Sequence, residues 1–255
     1  MSDEPVLTER RDGVLLITLN RPDARNAVNT ALAEGLAAAL DTLDADDELK
    51  VGVLTGAGKG FSAGMDLKAF VKGERPWVGD RGFAGIVQRS ARKPLIAAVE
   101  GFAMAGGLEI ALACDMVVAS REARLAIPEV KRSLVAAAGA LRRLPQRVPL
   151  NVALELALTG DPISAERGYD IGLVNRVTDP GGAVDGALEL AAAIARNGPL
   201  ALDATKEILT RQTDWDEEEF WREQGVLAEP VLRSEDAREG ATAFAEKRDP
   251  VWKGR

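Results

Sequence analysis

The sequence predicts an α/β protein, a core of strands and helices followed by a helical C-terminal part. Three observations carry this. Strand-like segments dominate the early chain, and from Ala183 onward the segments read mostly as helices. Two stretches, VGVLTGAGKGFSAGMDL (51–67) and LIAAVEGFAMAGGLEI (95–110), echo one order: strand, glycine turn, small residues, acidic residue, helix. Finally, 46% hydrophobic and 28% charged residues in a chain of 255 suit one large globular unit with a sizeable core.

Taken in order, VLTERRDGVLLITLNRP (6–22) reads as two strands joined at Asp12-Gly13, a hairpin signal. NAVNTALAEGLAAALDTLDAD (26–46) has Ala, Leu and Glu at helical spacing. KVGVLTGAG (50–58) is a buried strand entering a glycine turn, and MDLKAFVKG (65–73) starts a helix. GERPWVGDRG (73–82) is polar and Gly-rich, which predicts a mobile surface loop. KPLIAAVEG is then a strand, FAMAGG a turn, LEIALAC a helix and DMVVAS a strand. ARLAIPEV (123–130) is a short strand ending at Pro128-Glu129, and LVAAAGALRRLP (134–145) a small-residue helix. VALELALTG is a further helix and GLVNRVTD a late strand, before the helical remainder. The expected division is a core over 1–195 and a helical region over 196–255.

Charge and composition exclude several functions. A formal net charge of −8 argues against nucleic acid as a partner, because phosphate binding needs a basic face. The most apolar stretch, Leu95 to Ala119, contains Glu100, Glu109 and Asp115, so no membrane span is expected. The N-terminus lacks the features of a signal peptide, and Cys114 is the only cysteine, so the expected compartment is the cytoplasm. There is no histidine. That removes Ser-His-Asp and Cys-His chemistry and leaves carboxylates as the leading proton carriers.

The two echoed segments each place a helix start just beyond a strand. The first N–H groups of a helix have no intrahelical acceptor and carry the positive end of its dipole. Two such ends aimed at one point would hold a negatively charged oxygen. Either segment alone is better read as a glycine turn that serves tight packing. Glu109 stands in the second of them, in a nearly unbroken apolar run. An ionised carboxylate there needs water, partners or a purpose. Desolvation raises a carboxyl's pKa from about 4.3, which makes it a better base near neutral pH.

NRPDARNAVN (20–29), GKGFSAGMDL (58–67), GFAMAGGLEIALACD (101–115), LAIPEV (125–130), LTGDPISAERGYDIGLVNRV (158–177) and AFAEKRDPVW (243–252) together resemble the crotonase superfamily, closest to the enoyl-CoA hydratases. The resemblance covers nearly the whole chain. It implies a spiral of repeated ββα units with helices at the C-terminal end for assembly and active-site cover. It implies a thioester oxyanion hole made by the backbone N–H groups of Met65 and Gly106. It places Glu109 and Glu129 at the two catalytic positions, one activating water and the other delivering a proton. It implies an acyl-CoA substrate, no metal, no separate cofactor, and a homotrimer or a hexamer built of two trimers. Arg25, Ala63, Gly64, Asp66, Lys68 and Gly107 fall in the implied substrate- and CoA-binding set; for Asp66, as for Asp115, capping or loop pairing is the favoured reading of the residue itself. Lys59, Lys247 and Lys253 are further candidate anion partners, and Met65, Phe70, Trp77 and Phe83 candidate borders of the acyl pocket. Trp215, Phe220 and Trp221 fit an interface or an internal core equally. One departure stands out: the family's Pro-Gly-x-Gly-Gly-Thr is here AAAGAL (136–141), keeping only Gly139. The expected activity is reversible hydration of a trans-2-enoyl-CoA, with double-bond isomerisation or non-catalytic acyl-CoA binding as the alternatives.

Overall fold

The computed structural model describes residues 4–255. Eleven strands form in chain order: β1 Val6–Arg11, β2 Val14–Leu19, β3 Val51–Gly56, β4 Trp77–Val78, β5 Gly82–Phe83, β6 Leu95–Val99, β7 Phe102–Met104, β8 Met116–Ser120, β9 Arg124–Ala126, β10 Ile163–Ser164 and β11 Arg176–Thr178. The helices are α1 Thr30–Ala45, α2 Leu67–Val71, α3 Gly106–Ala113, α4 Ala140–Arg147, α5 Leu150–Thr159, α6 Ala165–Asp170, α7 Ala183–Ala195, α8 Pro199–Arg211, α9 Glu217–Arg233 and α10 Glu235–Glu246.

The main sheet runs β1-β2-β3-β6-β8-β11. The first pair is antiparallel, turned by Asp12 and Gly13, both at positive φ. All later pairs are parallel. A parallel sheet must be covered on both faces, and period-two alternation supplies two apolar surfaces. Leu15, Ile17, Leu54, Leu95, Ala97 and Val117 face the principal core with α1 and α3. Val14, Leu16, Val53, Ile96 and Val118 face the other way, onto Ala183, Ala187 and Ala191 of α7. Three alanines at four-residue spacing make a flat helix face that suits close approach to a sheet.

A second sheet, β10-β9-β7, carries the chain from the main sheet to the candidate site. Parallel bridges Val28↔Met65 and Ser62↔Ala103 join the two echoed segments to their neighbours. The last three helices lean mainly on one another. Lys206 of α8 ties them back, donating to the carbonyls of Ala91 and Lys93 and pairing with Asp115 at 2.7 Å. Trp252 donates its indole N–H to Arg196 O. Trp221 and Phe244 are 63% and 88% exposed, so apolar surface remains on this region. No helix among the described residues is long and apolar enough to cross a membrane.

Three local expectations are corrected. The segment expected as a mobile loop over 73–82 contains the strand β4 and leads into β5, pinned by Arg81. That side chain is 2% exposed, pairs with Asp41 at 2.5 Å and donates to the carbonyls of Arg89 and Ser90. FAMAGG, expected as a turn, begins with β7, which pairs in parallel with β9. The helix expected over 134–145 begins only at Ala140, because Gly139 takes φ +102° and breaks helical geometry just before it.

Candidate active site

Met65 and Gly106 carry backbone N–H groups with no acceptor among the described residues. Their freedom follows from local structure. In the Val28↔Met65 bridge, Val28 exchanges bonds with Gly64 O and Asp66 N, which leaves the Met65 N–H over. Gly106 is the first residue of α3, where no intrahelical acceptor exists. The two segments touch: a Cβ on Gly64, which sits at φ +89°, would stand 2.8 Å from Gly106 N. Phe83 packs there too: a Cβ on Gly106 would meet its ring at 2.8 Å and the Gly64 Cα at 3.4 Å. Ala105, just before α3, adopts φ +52° and ψ −128° and is held by its own N–H to Ala126 O. A side chain at positive φ is strained, and such strain concentrates where a fold must aim a backbone group.

Glu109 follows on the first turns of α3 and is 3% exposed. Its Oε1 accepts two backbone N–H bonds, from Ala138 at 2.8 Å and Ala140 at 3.1 Å. Both come from the segment that departs from the family pattern, and the contact is made by its backbone. Burial pushes the Glu109 carboxyl up to about 6; the two N–H donors oppose that rise, and the charge of Glu129 adds to it. Glu129 opens the 3-10 turn Glu129–Arg132, after Pro128. Burial raises its pKa as well, and its Oε2 is buried without a hydrogen-bond partner among the described residues. A carboxyl oxygen left so is favoured in the protonated form or awaits a ligand.

Both glutamates, Met65 and Gly106 line one cleft of about 860 Å³. Leu67, Trp77, Phe83, Leu134, Val135 and Ala138 provide apolar wall, and Trp77 meets Phe83 edge-on at 5.3 Å. Arg25 and Ala63 line it as well. Other expected positions lie outside its lining. Asp66 caps α2, accepting from Lys68 N and Ala69 N, and pairs with Arg21 at 3.0 Å. Gly107 is a packing position, where a Cβ would run into the Ser62 carbonyl. Gly64, Lys68, Lys59, Phe70, Lys247 and Lys253 are absent from the lining, and Lys253 pairs with Glu235. The lining ends at Pro162, so within one chain the C-terminal helices stand away from the cleft. Arg124, Lys131 and Arg132 line it without having been singled out by sequence; the signal available was the position of the last two just after Glu129.

Free paired amides and two buried carboxyls stand in one cleft on a largely parallel-sheet core, and the fold is that of the crotonase superfamily. The profile of the enoyl-CoA hydratase/isomerase family matches residues 9–255, and the chain belongs to that family. An enoyl-CoA hydratase from Mycobacterium tuberculosis H37Rv superposes with a TM-score of 0.97 at 53% identity, over 99% of this chain and 100% of that one. A probable enoyl-CoA hydratase/isomerase from Mycobacterium abscessus gives 0.96 at 58%, with 100% of both chains covered. Carnitinyl-CoA dehydratase from Salmonella paratyphi A is 44% identical over 263 residues, covering 100% of each.

Proposed function

We propose that the chain is a lyase that adds water reversibly to a trans-2-enoyl-CoA, giving a 3-hydroxyacyl-CoA by syn addition. The reverse direction is the dehydration named for the Salmonella relative. Glu109, ionised, takes a proton from water as the oxygen adds to C3. Negative charge develops on the thioester oxygen, where the N–H groups of Met65 and Gly106 stabilise it. Glu129 gives its proton to C2. Two carboxyls in one poorly solvated cleft separate in pKa, which allows one to be ionised while the other is protonated. The pair titrates as a unit, so the two roles describe one microstate of it. No separate cofactor takes part in this scheme. Arg25 and Arg124 are assigned to the phosphates of coenzyme A.

The observation that carries this reading is the shared cleft of Glu109 and Glu129. Isomerisation needs only one carboxyl to shuttle a proton, so the second buried acid favours hydration. The test is loss of enoyl absorbance on adding crotonyl-CoA or longer enoyl-CoA thioesters to the protein. Turnover supports the assignment; no turnover at any chain length overturns it, and a 3-enoyl-CoA assay detects the isomerase instead.

The exposed Trp221, Val226, Leu232 and Phe244 support assembly through the C-terminal helices, as a homotrimer or a hexamer of two trimers. Sedimentation velocity reads this directly, and a monomer would overturn it.

A further inference from the structure

Arg132 lies three residues beyond Glu129 on the same 3-10 turn. In that helix side chains at i and i+3 eclipse, and three residues advance roughly 6 Å. Glu129 and Arg132 therefore project to one side, and both line the cleft. The intervening Lys131 is engaged by Asp161. Among the described residues Arg132 has no ion-pair partner, not even Glu129, although its charge draws the Glu129 carboxyl downward against burial. The result is an uncommitted guanidinium beside the carboxyl assigned to protonate C2. Arg132 is itself solvent-exposed, on the cleft wall one turn along from Glu129. Leu134 and Val135 follow it directly in the wall and supply apolar surface for methylene groups.

We propose that Arg132 binds a carboxylate at the far end of a short acyl chain, so that the substrate class is the CoA thioester of an unsaturated dicarboxylic acid. The inference rests on the hydratase reading above. A planar guanidinium takes a carboxylate through two parallel hydrogen bonds. The same charge repels an acyl chain ending in a quaternary ammonium. The cleft would thus differ in preference from the betaine chemistry that the name of the carnitinyl-CoA relatives denotes.

Titration calorimetry with the unreactive thioesters glutaryl-CoA and butyryl-CoA tests this, alongside hydration of glutaconyl-CoA and crotonyl-CoA. The wild type should bind glutaryl-CoA about tenfold or more tighter than butyryl-CoA. Arg132→Ala should close that gap and Arg132→Lys should keep part of it, with circular dichroism checking the fold. Equal affinity of the wild type for the two thioesters overturns the inference without need of a variant, as does a gap that survives in Arg132→Ala. Crotonyl-CoA hydration with no preference for glutaryl-CoA leaves the hydratase standing and removes this inference. A preference for glutaryl-CoA with no hydration of any enoyl thioester removes the hydratase and keeps the carboxylate site.

Discussion

The backbone N–H of Ala138 reaches Oε1 of Glu109 at 2.8 Å, and Ala140 donates to the same oxygen from the other side of Gly139. One carboxylate oxygen is thus fixed by main chain, and its rotation is stopped. Gly139 makes this possible by its φ of +102°, and a Cβ there would run into the Arg143 guanidinium. Gly139→Ala should lower kcat by about a hundredfold through misplacement of the base. Because both donors favour the ionised carboxylate, their loss should also move the acid limb of the kcat/KM profile to higher pH. Steady-state kinetics across pH reads both effects.

Glu129→Gln removes the proton that the proposed scheme delivers to C2 while keeping shape. Turnover of the enoyl thioester should fall by about 10²–10⁴, and acyl-CoA affinity should change little. Calorimetry paired with the absorbance assay separates the two. Equal loss of binding and turnover would count against a proton-transfer role.

Glu109 links activity to stability. Its carboxyl titrates at about 6 in the folded protein, raised from 4.5. In the proposed scheme Glu109 activates water in its ionised form, so kcat/KM should rise through about pH 6. The stability sign runs the other way. A raised folded pKa contributes stability that is complete below about 4.5 and is lost as pH climbs through about 6. Glu109→Gln keeps acceptors for Ala138 and Ala140 and carries no charge. Thermal unfolding should show the variant matching wild type near pH 4 and exceeding it by about 2 kcal/mol at pH 7.5. A constant difference across that range would show that desolvation of the carboxylate is not the cause.

Gly64→Ala tests the paired amides. The added methyl would crowd Gly106 N at 2.8 Å, and φ +89° already disfavours any side chain. Loss of one oxyanion donor is worth roughly 10²–10³ in kcat. The expected result is that loss, with affinity for the 3-hydroxyacyl-CoA nearly unchanged.

Arg81→Ala concerns the fold alone. It strips the carbonyls of Arg89 and Ser90 of a buried donor and removes the bond to Asp41. Unsatisfied buried groups cost about 1–3 kcal/mol each. A fall in the urea midpoint, with proteolysis beginning inside 73–83, is the expected outcome.

Much of the architecture was legible in sequence because local signals and tertiary needs agreed. Asp12-Gly13 turns the first hairpin, and the long strands alternate between two cores. Asp66 could be read as a cap because short polar side chains at helix starts have that use, and it caps α2. The errors fall where distant residues decide. Phe102–Met104 is too short to announce itself, and becomes a strand because Arg124–Ala126 lies beside it. Nothing local marks Arg81 as interior; Asp41, 40 residues away, and the carbonyls of Arg89 and Ser90 make it so. In the site, the glutamates and glycine turns were recognisable as types. The clip on Glu109 was not, since its donors are anonymous backbone groups 29 and 31 residues away. Arg132 needed the 3-10 register before its direction could be known.

Ala105 holds φ +52° at the bend that aims Gly106 N toward the cleft. That posture is unfavourable for an alanine in isolation, and the surrounding sheets impose it. The work of orienting an amide is therefore done once, during folding, and is underwritten by the apolar interior. For the proposed thioester this would mean dipoles already at rest on arrival, with its own affinity left for the reacting bonds.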